Sequence, residues 1–310
     1  MDKELTNGTS EPVFYIFAFS ASENGSIMIL AAVLLIYLII LSGNLLIITL
    51  ICLEPQLRTP MYFFLCNLSM LDILYVSTTL PKLVYICHTG YHIMSHPTCL
   101  AQLYLYVWFG NTESYLLTAM AIDRYVAVCY PLHYSLIMSK WVCVLLAFPA
   151  WFMAAVNASI LISLYYNLKF FAVVEVRNFF CDGKTLLLAA INDTMPLRTL
   201  IHVQIVVMGL IPACLIFTSY MCIIYTVLKM KSSVGRWKTF SSCSSHITIV
   251  VLYFGPPISL YMTDSLEQDV VLTVIFVTLV PMLNPLVYSL RNKDIKQAIR
   301  IIIHMKRTSL

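Results

Sequence analysis

Charge is scarce in this sequence: 11% of its 310 residues are Asp, Glu, Lys or Arg, where an ordinary soluble domain carries about 25%. With 60% hydrophobic residues, such a chain lacks the polar surface to cover itself in water. The 9 Gly and 13 Pro carry no period, which excludes a collagen-like or low-complexity chain, and the hydrophobicity excludes a disordered one. Missing as well are metal-spaced His or Cys clusters, a phosphate-cradling loop and a nucleophile elbow, so no enzyme class is indicated. No lysine falls within 270–290, which argues against a retinal Schiff base. Inverted repeats and paired broken helices, the marks of a secondary transporter, are also not evident.

What is present is long apolar runs. Charge-free stretches cover 24–53, 141–168, 199–228, 239–263 and 270–290, each reaching the roughly 20 residues a membrane span needs. Two more, 60–81 and 98–122, carry one acid each, Asp72 and Glu113. These runs are continuously apolar rather than alternating, so they predict helices and not barrel strands. The expected fold is an all-α membrane protein, a seven-helix bundle with a short amphipathic cytoplasmic helix after it. Its boundaries are an N-terminal segment 1–26, a bundle 27–290 and a tail 291–310.

Orientation follows from the basic residues. Thirteen of the 19 Lys and Arg lie in the first, third and fifth loops and the tail, beside three acids; the other side holds six bases and ten acids. The N-terminus is therefore expected outside and the tail in the cytoplasm. No basic n-region or cleavage site precedes the first span, so that span is expected to act as its own signal anchor. In the tail, Ile295, Ala298, Ile299 and Ile302 share one helical face with Lys296 and Arg300 elsewhere, as for a helix lying on the membrane. No cysteine follows Cys243, which excludes a palmitoyl anchor on the tail.

Outside sequons at Asn7, Asn24 and Asn192 are glycosylation candidates, whereas those at Asn67 and Asn157 fall inside spans. Most of the ten cysteines sit in spans as small hydrophobes. Cys99, at the outer start of span 3, and Cys181, in the long second outer loop, occupy an oxidising compartment. A bridge between them would pin that loop over the bundle mouth, although spacing alone does not assign connectivity.

A set of motifs sits towards the inner ends of the spans. They are Gly43-Asn44; Leu-Arg-Thr-Pro-Met-Tyr-Phe-Phe-Leu from Leu57; Met-Ala-Ile-Asp-Arg-Tyr-Val-Ala-Val-Cys from Met120; and Pro-Leu-His-Tyr from Pro131. Later come Ser219-Tyr220, Lys-Thr-Phe-Ser-Ser-Cys-Ser-Ser-His from Lys238, and Pro-Met-Leu-Asn-Pro-Leu-Val-Tyr-Ser-Leu-Arg-Asn from Pro281. Together they resemble the vertebrate olfactory receptors within the rhodopsin-like G-protein-coupled receptors. The Asp-Arg-Tyr and Asn-Pro-x-x-Tyr elements are general to the larger class; the Pro-Met-Tyr-Phe-Phe-Leu, Pro-Leu-His-Tyr and Ser-Ser-Cys-Ser-Ser-His runs are far more specific. The chain also departs from the family pattern. Arg58 replaces a His, Ile122 replaces a Tyr, and Phe171 and Ile191 stand where relatives often carry a second cysteine pair. The usual Phe-Tyr-Gly of span 6 reads Tyr253-Phe254-Gly255, moving the hydroxyl one residue and about 100° around the helix.

The resemblance implies three sites. Asp72 with Asn44, Asn284 and the family's span 3 acid, Glu113, would form a sodium site in the inactive state; the other reading is neutral, hydrogen-bonded carboxyls in a polar core. Asp123, Arg124 and Tyr125 would form a switch, Asp123 holding Arg124 until the bundle opens and Arg124 packs with Tyr220 and Tyr288; Pro285 belongs to the same set. A ligand would sit in the outer half of the bundle. Counting from each motif lines that space with Tyr106, Val107, Gly110 and Asn111, then Gln204 and Met208, then Phe254, Ile258 and Tyr261, then Val277 and Thr278.

These walls are apolar and aromatic with amides and hydroxyls but no fixed charge, as suits a small neutral organic molecule. The implied function is odorant binding, activation of a stimulatory olfactory-type G protein and a rise in cAMP. Membrane lipid is the other partner; no nucleic acid and no cofactor beyond the possible sodium ion is expected. The competing readings are an ion-coupled transporter or channel using Asp72 and Glu113, or a chemoreceptor of this fold outside the nose.

Overall fold

The computed structural model describes residues 12–17, 23–230, 233–262, 273–291 and 295–300. Asn7 and Ile302 lie outside these, and the side chains of Asn24, Ile258, Tyr261 and Tyr288 are not described. The first three spans are α1 (Glu23–Leu53), α2 (Pro60–Thr89) and α3 (His96–Cys129). A short α4 (Tyr134–Ile137) precedes span 4, α5 (Lys140–Tyr166), and a short α6 (Gly183–Ala189) follows in the long loop. Span 5 is α7 (Met195–Gln204), a π turn (Ile205–Leu210) and α8 (Ile211–Lys229). Span 6 is α9 (Ser233–Met262); span 7 contains a π turn (Ile275–Leu279) and α10 (Val280–Arg291).

Local chemistry marks the helix ends. Pro60 and Pro97 stand in the first turns of α2 and α3, where a missing N–H costs nothing. The Ser139 hydroxyl caps α5 by accepting from Val142 N. Gly90 ends α2 in the left-handed conformation at φ 67°, its N–H reaching Ile86 O, a conformation a side chain would penalise. α1 has 31 residues, about 46 Å at 1.5 Å per residue, longer than the hydrocarbon layer it crosses.

α3 runs through the middle, packed against α2, α5, α8 and α9. Ala147, Ala150, Ala154 and Ala158 are buried along one face of α5, and such small residues let helix backbones approach closely in a membrane. The perimeter is apolar and open: Leu35, Leu38, Phe148, Phe152, Phe217 and Tyr225 are all exposed, an arrangement only lipid can cover. Asn67 accepts from Trp151 Nε1 between spans 2 and 4, so that sequon is committed to packing.

One element has no counterpart in the sequence expectation. Val13–Ile16 forms β1, the middle strand of a three-stranded sheet, antiparallel to β2 (Ile93–Ser95) and parallel to β3 (Val173–Val176). Phe14 and Ile16 are fully buried in a second core at this end, with Leu103, Leu161 and the Cys99 and Cys181 side chains. This end is called the sheet end, the other the tail end. At the tail end Ile295 and Ala298 are buried in the bundle core while Lys296 and Arg300 are exposed. The apolar face of the tail helix thus packs on the protein, and not only on a membrane surface as expected.

Candidate functional site

The Cys99–Cys181 bridge is formed, with Cα atoms 5.4 Å apart. Gln102 reinforces it, its Oε1 accepting from Cys181 N at 3.0 Å while its Nε2 donates to Thr78 O at 2.8 Å. The loop beside it turns inward, so that Phe179 and Phe180 are fully buried. Asp182 caps α6 by accepting from Thr185 N at 3.0 Å and Thr185 Oγ1 at 2.6 Å. Desolvation raises the pKa of that carboxyl, and these hydrogen bonds pull it back. Where relatives often carry a second cysteine pair, hydrogen bonds close the loop instead. Ile191 N donates to Lys169 O at 2.9 Å, and the Asn192 amide accepts from Lys169 N and donates to Asn167 O.

In mid-bundle, Asp72, Glu113 and Asn284 meet from spans 2, 3 and 7, and Asn44 ties span 1 to the span 7 backbone. Asn284 Nδ2 donates to both Asp72 oxygens, at 3.1 and 2.9 Å. Asn44 Nδ2 donates to Ile40 O and Pro281 O, each at 3.1 Å. Glu113 is 2% exposed and faces the same Asp72 and Asn284. Gly43 makes this convergence possible: a Cβ there would come 3.1 Å from Pro285 Cγ, so a glycine lets span 1 touch span 7. Among the described residues, Asn44 Oδ1, Glu113 Oε1 and Asn284 Oδ1 are buried without a hydrogen-bond partner. Buried acceptors left unmatched are costly, and an all-oxygen set of carboxylates and amides fits a hard cation. Among the described residues no trio of His, Cys, Asp or Glu is placed to hold a metal.

At the tail end the expected pairing of Asp123 with Arg124 is not what forms. Asp123 Oδ1 accepts from Tyr134 OH at 2.8 Å, while the Arg124 guanidinium reaches Met61 Sδ. Adjacent helical residues project about 100° apart, so the two side chains serve different neighbours. Burial, then the Asp123 charge, push the Tyr134 hydroxyl upward and keep it a donor. Tyr220 OH lies 2.6 Å from His246 Nδ1, joining spans 5 and 6 inside the core, and Tyr125 OH donates to Tyr130 OH at 3.4 Å. Met61, Tyr134 and His246 all sit in the quoted motifs, yet spacing alone marks none of them as a partner here.

In the sheet-end half, span 3 carries four of the residues expected to line a ligand. Tyr106, Val107, Gly110 and Asn111 are all half-buried, and a Cβ built on Gly110 meets nothing within 4 Å. Tyr106 packs on Tyr75, with ring centroids 5.4 Å apart, and on Phe180 of the loop at 4.7 Å. Asn111 Nδ2 is buried without a hydrogen-bond partner. Tyr253 OH donates to Gly110 O at 2.5 Å, and its ring meets Phe254 at 4.9 Å. Other predicted wall residues are engaged elsewhere. Gln204 Nε2 donates to Asn157 Oδ1 at 2.9 Å, and Met208 is tied to span 3 by Ser114 Oγ and Tyr115 OH, both at 2.7 Å. Val277 is fully buried in the core, and Thr278 lines a separate cavity between spans 1, 2 and 7. Phe179, Phe180 and Tyr75 carry no sequence signal for this place; only the burial of the loop points to the first two.

A family model for olfactory receptors matches residues 33–306. The chain is 40% identical over 307 residues to olfactory receptor 1G1 of Gorilla gorilla gorilla, covering 98% of each chain. It is also 40% identical over 306 residues to olfactory receptor 1E1 of Homo sapiens, covering 97% of this chain and 98% of that one. This chain belongs to the olfactory receptor family. The receptor's fold is matched by squid rhodopsin, at a TM-score of 0.72 and 18% identity over 91% of this chain and 81% of that one. An olfactory receptor of this fold is a multi-pass membrane signalling protein and not an enzyme.

Proposed function

We propose that this olfactory receptor binds a small, mostly apolar, neutral organic ligand against span 3 in the sheet-end half of the bundle, activates a stimulatory olfactory-type G protein and raises cAMP. The sheet end faces outside and the tail end the cytoplasm, in keeping with the thirteen bases on the tail side. The observation that carries the reading is the open space at Gly110, on the span 3 face that also carries Tyr106 and Asn111, whose Nδ2 is buried without a partner among the described residues. Burying the few carbons of a volatile-sized molecule yields about 0.8 kcal/mol per CH₂, so micromolar or weaker affinity is expected. Tyr253 reaches Gly110 from span 6, so a molecule lodged there would bear on the helix that must move for a G protein to dock.

The test is cAMP in cells co-expressing the receptor and that G protein, across a panel of neutral and acidic small molecules. Asn111→Leu keeps bulk and removes the amide, so potency towards oxygen-bearing agonists is expected to fall about tenfold with surface expression unchanged. Equal potency would take Asn111 out of the site.

The polar cluster below is read as a sodium site that stabilises the inactive state, held by Asp72, Glu113, Asn44 and Asn284. The unmatched Glu113 and Asn284 oxygens beside Asp72 support this, because a cation is a partner that carboxylate and amide oxygens share. Sodium would supply only charge compensation; Asp72, Glu113 and Asn284 join spans 2, 3 and 7, and Asn44 ties span 1 to span 7. Glu113→Gln is expected to raise basal cAMP and to abolish its dependence on intracellular sodium. If both stay at wild-type values, the cation reading is wrong.

A further inference from the structure

A cavity of about 200 Å³ lies between spans 1, 2 and 7 under the inturned loop, and no role assigned so far uses it. Its walls include Ile29, Val33, Leu80, Leu83, Phe179 and Val274. Thr278 lines it too, but its Oγ1 donates to Val274 O at 2.6 Å and no polar atom of the walls faces the space. A water needs two to four polar partners to stay in such a space, and these walls offer none; apolar cavities of about 150 Å³ lined by aliphatic and aromatic groups stay dry and bind benzene. We infer that this cavity is a second ligand site, selective for a small hydrocarbon ring or short chain that carries no hydrogen-bonding group.

Its chemistry is the complement of the Gly110 site, where Asn111 and the tyrosines reward an oxygen atom. Access is from the membrane: Ala32 on the span 1 wall is exposed, and Leu34, Leu35 and Leu38 on the same helix face the lipid, where a hydrocarbon concentrates. The two sites share a chain of rings. Phe179 meets Phe180 edge-on at 5.0 Å, and Phe180 meets Tyr106 at 4.7 Å. A filled cavity therefore fixes Phe179 and, through it, one wall of the Gly110 site.

The test is thermal unfolding of the purified receptor in nanodiscs of saturated phosphatidylcholine, with cyclohexane as the probe and cyclohexanol as its polar match. Because no G protein or agonist is involved, this result stands apart from the signalling reading. Cyclohexane is expected to raise the wild-type Tm by about 2 °C and cyclohexanol to leave it unchanged. Val33→Phe and Val274→Phe, which fill the space from opposite walls, are each expected to abolish the shift, and Gly110→Leu to retain it. Two filling variants are used so that one can misfold without removing the test. An equal shift with cyclohexanol, or a shift that persists in a folded filling variant, overturns the proposal. So does the absence of any shift in the wild type, the outcome if a lipid acyl chain already occupies the cavity.

Discussion

Cys99→Ser is expected to lower the amount of receptor at the cell surface at least about tenfold, measured by live-cell immunostaining against total expression. The bridge joins residues 82 apart, and releasing a loop of that length in the unfolded chain costs about 4.5 kcal/mol in the chain-entropy account. Whole domains are stable by only about 5–15 kcal/mol, so this loss is a large part of the total. The bridge also holds the loop that sends Phe179 and Phe180, both fully buried, into the bundle, and each buried phenylalanine is worth about 1.5–3 kcal/mol. Nothing nearby replaces it, since Phe171 and Ile191 stand where relatives carry a second pair and the loop there is held by hydrogen bonds through Lys169 and Asn192. Cys181→Ser should behave alike, and the double variant should be no worse than either single one. Wild-type surface levels in Cys99→Ser would mean that packing alone holds the loop.

The residues that could be read from the sequence are those whose partners lie on regular helices. Asp72 and Asn284 are 212 positions apart, yet each sits a fixed number of turns from its own motif, so their meeting follows from two spans crossing at one depth. The open face of Gly110 follows in the same way from helical spacing. Pairings made by irregular backbone gave no such signal. β1 is four apolar residues whose partners lie about 80 and 160 positions away, and nothing local in Val13–Ile16 indicates a strand between two others. The π turns before Ile211 and Val280 each shift the helical register, so faces counted from motifs across them rotate. That is why Met208 turns to Ser114 and Tyr115, and why Thr278 lines a different cavity from the one its spacing suggested. Arg124 was misjudged for a simpler reason: proximity in sequence is not proximity on a helix surface, and Tyr134 and Met61 stand closer to the pair than its members stand to each other.

Gly110→Leu is expected to abolish the agonist response, with potency falling at least about a hundredfold, while surface expression stays at or above wild type. Two facts about one residue lead there. A side chain at Gly110 would project into open space, so its first carbon meets no neighbour and the bundle does not have to spread. In a helix interior, replacing glycine by leucine also removes a backbone entropy cost of about 0.8–1.0 kcal/mol, so folding is not expected to suffer. The same four carbons then occupy the volume a volatile-sized ligand would need, and overpacking a filled site costs more than such a ligand gains. The carbonyl of Gly110 is a separate matter: it accepts from Tyr253, whose hydroxyl is available only because this chain has Tyr253-Phe254 where relatives have the reverse order. A leucine side chain leaves that carbonyl in place, so basal cAMP should stay near wild type as the agonist response disappears. Parallel dose–response and basal measurements separate the two functions of this position. A full response in Gly110→Leu would move the ligand away from span 3, and a large rise in basal activity would show that the space itself, and not its occupant, holds the receptor inactive.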